Sequence, residues 1–267
     1  MARFFKLFGF SFFILFLCLI FFNQDLQASA KKKKMAQAHY KLGVSYFTNG
    51  DTVSALDELL LAQSLDKKDP DIKHVLGLAY ADKGRYEDAE KSLKEAIKLY
   101  TKQKEVQFGS PGLGEAYNNL GAVYLKQGKW DNAIENFELA IKDPRYRTPD
   151  RAYNNLGWAY YNKDNYKMAI QSYRQAIDRN ISFWLPYNNL GIVHFKMENY
   201  PEAEKAFLKA IEYNPDWSES YYRLGLTYQK MNSRTRAVEQ YRKCSKIKSK
   251  DLYVDNCKQA LKVLQKR

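Results

Sequence analysis

The apolar positions of this chain recur in a long-period pattern. A Leu-Gly pair stands at Leu42-Gly43, Leu76-Gly77, Leu120-Gly121, Leu156-Gly157, Leu190-Gly191 and Leu224-Gly225, at spacings of 34, 44, 36, 34 and 34 residues. Three residues after each Gly come Tyr46, Tyr80, Tyr124, Tyr160, His194 and Tyr228. Twelve after it come Ala55, Ala89, Ala133, Ala169, Ala203 and Ala237, and sixteen after it Leu59, Leu93, Phe137, Tyr173, Phe207 and Tyr241. Nineteen after it come Ala62, Ala96, Ala140, Ala176, Ala210 and Cys244. Leu, Gly and Tyr at i, i+1 and i+4 share one face of a first helix. The positions at 12, 16 and 19 share one face of a second.

Between the two helices, seven residues past the key Gly, stand Gly50, Gly84, Gly128, Asp164, Glu198 and Asn232. Gly, Asn and Asp tolerate the left-handed conformation that ends a helix, and Glu198 fits it less comfortably. The small Gly and Ala positions allow the two axes to approach closely. One hairpin cannot bury its apolar face alone, but stacked neighbours can. The spacing predicts an all-α chain of repeats at 36–69, 70–103, 114–147, 150–183, 184–217 and 218–251. A capping helix follows at 252–267, with Leu252, Leu261 and Leu264 covering the last repeat.

This pattern resembles the tetratricopeptide repeat, which implies a right-handed superhelical solenoid of six helix hairpins plus the C-terminal cap. Two interruptions break its 34-residue period. Ten extra residues at 104–113 include Gly109-Ser110-Pro111-Gly112, which reads as an inserted loop. Two more fall within Asp143-Pro144-Arg145-Tyr146-Arg147-Thr148-Pro149-Asp150. The stretch from Ala140 to Tyr161 that contains them is similar to the corresponding stretch of the type IV pilus pilotins. These are exported bacterial proteins of six such repeats that assist assembly or outer-membrane placement of the secretin pore. The resemblance implies a non-catalytic envelope scaffold whose partner is an extended segment of a secretin or pilus-assembly component. Two other readings of a repeat scaffold stay open: a general periplasmic adaptor for another envelope complex, or a non-catalytic subunit that recruits an enzyme.

Ahead of the repeats, Arg3 and Lys6 precede an apolar run from Leu7 to Phe22, followed by Ala28-Ser29-Ala30. That order predicts a signal peptide over residues 1–30, cleaved after Ala30 or retained as an anchor, and hence an exported, periplasmic chain. Leu15-Phe16-Leu17 precede Cys18 where a lipidation signal wants small residues, so Cys18 reads as signal core and the chain departs from the pilotin pattern there. Any membrane association is expected through this segment alone. The formal charge of +13 is confined to the ends: residues 31–35 form a basic linker, and 242–267 hold nine Lys/Arg against Asp251 and Asp255. The body between is nearly neutral, which argues against a nucleic-acid partner.

In tetratricopeptide arrays the first helices line the concave face. The positions that face it imply a partner-binding groove containing Asn118, Lys126, Arg151, Asn154, Trp158, Tyr161, Asn188, Phe195 and Tyr222. The run Tyr-Asn-Asn-Leu-Gly begins at Tyr117, Tyr153 and Tyr187. Its first Asn would offer an amide to the backbone of an extended peptide. Trp158, Tyr161 and Phe195 would be apolar anchors. Asn119, Asn155 and Asn189 occupy one position of a C-terminal carboxylate clamp, but the matching lysines are missing.

No catalytic chemistry stands out. His39, His74 and His194 lie in separate repeats without paired ligands, and no phosphate loop or nucleophile motif is found, so neither enzyme activity, metal nor cofactor is expected. Cys244 and Cys257 lie symmetrically about the loop at residues 248–251. They are either a disulfide between antiparallel helices or two buried thiols.

Overall fold

A computed structural model describes residues 26–104 and 112–265 as thirteen α-helices, with no strand among the described residues. The chain divides into two compact units, one ending at Gly112 and one beginning at Leu113. In the first, α1 (26–48) pairs with α2 (Thr52–Leu65), and α3 (Pro70–Asp82) with α4 (Tyr86–Lys104). In the second, four hairpins follow: α5 (Leu113–Lys126) with α6 (Trp130–Lys142), α7 (Pro149–Asn162) with α8 (Tyr166–Arg179), α9 (Trp184–Lys196) with α10 (Tyr200–Tyr213), and α11 (Ser218–Lys230) with α12 (Arg234–Ser245). The single helix α13 (Leu252–Gln265) closes the unit against α12 and α11. Among the described residues no helix is long and apolar enough to cross a membrane.

Most of the expected signal segment and of the inserted loop, residues 1–25 and 105–111, lies outside the described residues, while 26–30, with Ala28-Ser29-Ala30, form the start of α1. Residues 31–35, expected as a linker, instead continue α1 without a break. Lys, Met and Ala are good helix formers, and no Gly or Pro interrupts 26–42.

Each hairpin turns through the same motif. In the α7–α8 turn the Asn165 amide donates to the Tyr160 carbonyl at 2.9 Å and the Asp164 amide to Tyr161 at 2.9 Å. This crossed pair ends a helix on a left-handed residue and satisfies carbonyls that would otherwise be orphaned. The left-handed residue falls at the same slot six times, with φ of 83° at Gly50, 72° at Gly84, 71° at Gly128, 56° at Asp164, 59° at Glu198 and 57° at Asn232.

The key Gly fixes the distance between the two helices. Around Gly191 the Phe207 ring comes so close that an added Cβ would lie 2.5 Å from its Cε1. The same relation holds between Gly43 and Leu59, Gly77 and Leu93, Gly121 and Phe137, Gly157 and Tyr173, and Gly225 and Tyr241. Each of these large side chains is fully buried, as are the Ala residues four before and three after it and, in the last repeat, Cys244. A glycine inside a helix costs about 1 kcal/mol relative to Ala. Burying a Phe or Leu side chain over it returns about 1.5–3 kcal/mol.

One detail adds to the sequence expectation and one differs from it. The longer α6–α7 junction folds over its own aromatic residue: Tyr146 is buried with Ala140 and Ala152 and sits on Gly114. At the C-terminus Leu252, expected to cover the last repeat, is 70% exposed, while Val254 and Cys257 are buried. Val254, Cys257, Leu261 and Leu264 follow spacings of three and four residues and so share one helix face, which Leu252 lies off. Cys244 and Cys257 are joined by a disulfide, closing the second alternative left by the sequence. It ties α13 to α12, with a stabilisation of about 3 kcal/mol for so short a loop.

In the first unit a polar cluster lies between α3 and α4. Tyr100 donates its hydroxyl to Asp71, and His74 Nδ1 lies 3.4 Å from the same hydroxyl. Burial pushes the His74 imidazole down to about 4, the nearby Asp71 charge opposing this.

Two outcomes are expected. Glu198 holds a left-handed φ with no Cβ-free residue to relieve it, so Glu198→Gly should stabilise the chain by about 1 kcal/mol in urea unfolding; a lower midpoint would contradict this. His74 resists protonation when folded but titrates near 6.5 when unfolded, so its contribution is complete above about pH 6.5 and is lost as pH falls toward 4. Thermal unfolding across that window should show roughly 2–3 kcal/mol less pH dependence in His74→Gln than in the parent chain.

Candidate functional site: the first-helix face of the second unit

The residues expected in a groove all lie in the second unit, and the structure separates them into three groups. The aromatic group comes together. Trp158 on α7, Phe195 on α9 and Tyr222 on α11 pack, with Tyr161, against one buried cluster that includes Ile192, Phe207 and Tyr241. Each keeps part of its ring at the surface. Trp158 stacks on Tyr161 with ring centres 5.0 Å apart and planes 22° apart. Tyr161 leans on Tyr166 at 5.9 Å, Phe195 meets the edge of Tyr200 at 5.6 Å, and Tyr222 lies between Tyr241 and Tyr253 at 6.0 and 5.7 Å. The helical spacing of three residues between Trp158 and Tyr161 puts both rings on one face, one turn apart. Such contacts add about 0.5–1.5 kcal/mol beyond simple burial. The Tyr166 hydroxyl, at the edge of this group, donates to Asp164 Oδ1 at 2.6 Å, which raises its pKa to about 12. It therefore stays a neutral donor at physiological pH.

The asparagine group does different work from that expected. Asn154 and Asn188 are 4% and 1% exposed. Asn189 Nδ2 donates to Asn154 Oδ1 at 2.9 Å, Asn155 Nδ2 to Asn118 Oδ1 at 3.2 Å, and Ser220 Oγ to Asn188 Oδ1 at 2.8 Å. Each bond joins the first helix of one repeat to the first helix of the next. The first Asn of the Tyr-Asn-Asn run thus accepts from the second Asn one repeat on at Asn118 and Asn154, and at Asn188 from Ser220, which stands three positions earlier in its repeat than the second Asn does. The carbonyls that would have met a peptide backbone are committed to the stack, and burial closes the approach at Asn154 and Asn188. Asn155, Asn189 and Ser220 are the residues that sequence reasoning missed in this role. For Asn155 and Asn189 the signal was the doubled Asn, since adjacent side chains in a helix point about 100° apart and the two amides do not share one face; Ser220 carried no such signal.

The charged group is peripheral. Lys126 is exposed in the last turn of α5. Arg151 is exposed in the first turn of α7 and lines a separate cleft with Arg147 and Arg179. His194, which stands where other repeats carry Tyr, is partly buried, and burial holds its imidazole below the ordinary value. Among the described residues no three His, Cys, Asp or Glu side chains gather to hold a metal ion.

The amide bonds give a direct expectation. Asn154→Ala and Asn189→Ala should each cost about 1–2 kcal/mol in urea unfolding, and the double variant less than their sum. Additive losses would show that the two amides do not act together.

Sequence profiles described as tetratricopeptide repeat match residues 70–145 and 112–181, 185–216, and 218–251. Superkiller protein 3 of Schizosaccharomyces pombe is 30% identical over 124 residues, 46% of this chain and 8% of that protein. An uncharacterised protein of Haemophilus influenzae is 28% identical over 119 residues, 45% of this chain and 61% of its own. The chain therefore spans less than two thirds of these relatives. Among solved structures, PilW, described as a widely conserved type IV pilus biogenesis factor, superposes with a TM-score of 0.72 at 16% identity, covering 83% of this chain and 97% of PilW. PilF of Pseudomonas aeruginosa gives 0.69 at 15% identity, over 86% and 99% of the two chains. YrrB, described as having an unusual peptide-binding site, gives 0.52 at 19% identity, over 75% and 97%. At these identities the structural likeness is one of fold. Joined to the profile matches across both units and to the Gly, Ala and aromatic positions that build each hairpin, it leads to one conclusion: the chain belongs to the tetratricopeptide repeat family.

Proposed function

We propose that this protein is an exported, non-catalytic adaptor that holds an extended segment of a type IV pilus secretin, or of a component that assembles it, against the aromatic first-helix face of its second unit. Tetratricopeptide arrays mediate protein–protein interactions, because stacked hairpins present a long continuous surface. The observation that carries the finer reading is the aromatic row of Trp158, Tyr161, Phe195 and Tyr222. These side chains span three consecutive first helices and remain partly open. Aromatic side chains of this kind dominate interface energies. An extended segment crossing them gains one anchor per repeat.

Two further points support the pilus assignment. The match to PilW and PilF runs nearly the whole length of both proteins rather than over a few shared repeats. The N-terminal order of Arg3, Lys6, an apolar run and Ala28-Ser29-Ala30 is that of an export signal, in keeping with a periplasmic site of action. Contact to the partner rests on the rings rather than on the asparagine carbonyls, which the repeat stack already uses.

In a strain lacking this protein, the heat-stable secretin multimer should disappear from an immunoblot while monomer remains. Trp158→Ala with Tyr161→Ala should fail to restore it, with capture of the partner weakened about 30-fold or more, provided circular dichroism shows the variant folded. A normal multimer in the deletion strain would remove the pilus assignment and leave a general envelope adaptor.

A further inference from the structure

A second surface lies where the longer α6–α7 junction meets the α8–α9 turn. Arg147, Thr148, Arg151, Arg179, Asn180 and Phe183 border an open cleft of about 510 Å³ there. Its charge is one-sided. Arg147 and Arg151 are exposed, and neither forms an ion pair among the described residues. Among the described residues Arg179 is held in place by neutral groups alone. Its guanidinium lies 4.2 Å over the Tyr153 ring, Nη2 donates to the Tyr153 hydroxyl at 3.3 Å, and Nη1 donates to the Gln175 carbonyl and side chain at 3.2 and 3.0 Å. Among the described residues one carboxylate borders the cleft: Asp150, which accepts from Asn180 Nδ2 at 3.0 Å. Three guanidinium charges therefore face one carboxylate that already has a hydrogen-bond partner.

Arginine clusters suit phosphate oxygens, which accept paired N–H donors from the planar guanidinium. The surroundings indicate what carries the phosphate. Phe183 forms one wall, and Ile181 and Trp184 lie within two residues of it in the chain. Ile181 is 67% exposed, and Trp184 packs at 4.6 Å on Trp217, itself 37% exposed. An uncovered Ile and a pair of Trp beside a cationic cleft match a ligand with an anionic head and an apolar body. Trp is also the side chain most at home at a lipid interface. The sequence carries an apolar run from Leu7 to Phe22 ahead of the repeats, and the export proposed above would bring the chain to a membrane.

We propose that this cleft binds the phosphate of an anionic phospholipid through Arg147, Arg151 and Arg179, with Ile181, Trp184 and Trp217 resting in the interface beside it. The cleft shares no lining residue with the aromatic row on the first-helix face. Binding there would orient the second unit on a membrane.

The test uses the full chain, because every Trp lies at or beyond Trp130 and the N-terminal segment is therefore silent in Trp fluorescence. The chain is mixed with vesicles of brominated phosphatidylglycerol or brominated phosphatidylcholine. Quenching is expected with the first lipid and not the second. It should be lost in Trp184→Phe with Trp217→Phe. Partitioning should weaken by about fivefold for each arginine removed in Arg147→Gln and Arg151→Gln, with unchanged circular dichroism. Equal quenching by both lipids, no quenching, or undiminished quenching in the arginine variants would overturn the proposal. Stabilisation by inorganic phosphate that requires Arg147 and Arg151, without quenching by phosphatidylglycerol, would also overturn it, because the cleft would then take a free anion rather than a lipid.

Discussion

The contact on which this structure depends is that between a helix glycine and the large side chain laid across it from the partner helix. With no Cβ at Gly191, the Phe207 ring reaches the first-helix backbone, and Ala203 and Ala210 on either side let the second helix follow it in. A methyl group at the glycine would have to displace a fully buried ring by several tenths of an ångström, and close-packed interiors resist that. Repeating the contact six times gives every hairpin the same geometry. The turn is constrained in consequence, since the two axes close up only if three linking residues reverse the chain. That demand falls on the left-handed residue, and the chain meets it even at Glu198, where the side chain is poorly suited to it.

Between repeats the chain relies on a different device. Asn118, Asn154 and Asn188 accept from the following first helix, so polar bonds register one hairpin on the next beside the apolar contacts. A buried amide costs free energy unless partnered. These bonds therefore specify the register more than they add to stability. The arrangement frees the outer positions of the first helices for large rings. Trp158 and Tyr161 are half-buried because the hairpin core beneath them is already filled by Tyr173 and Phe207. A surface that exposes rings anchored from below is stiff, and a stiff aromatic row loses little entropy when it meets a partner.

The inter-repeat connections carry the remaining individuality of the chain. The α6–α7 junction holds Tyr146 inward and turns Arg147 and Arg151 outward. The α8–α9 and α10–α11 turns bring Ile181, Trp184 and Trp217 to the surface. None of these residues is required by the hairpin motif. Their side chains follow from a connection two residues longer than the period and from turns free to vary. Loops on a rigid scaffold commonly diverge in this way to acquire contacts.

The sequence by itself determined the helices, their pairing and the turn slot, because those depend on local spacing: a glycine, a ring sixteen residues on and a left-handed residue between them. It also brought the aromatic residues Trp158, Tyr161, Phe195 and Tyr222 to one face, since repeat period and helical period together decide which way a side chain points. Only the tertiary structure decided what each polar group does. An asparagine directed at the first-helix face has the same sequence signature whether it meets a peptide or the next repeat, and the burial of Asn154 and Asn188 separates the two. Arg151 reads as a groove residue by position, yet it borders a cleft whose other wall, around Arg179, comes from the far end of the partner helix α8. Leu252 lost its expected place to Val254 because a cap must match the face already presented by α11 and α12. The physical reason is common to all three: periodicity fixes direction along one helix, while hydrogen-bond partners, clefts and cover are properties of two or more elements meeting in space.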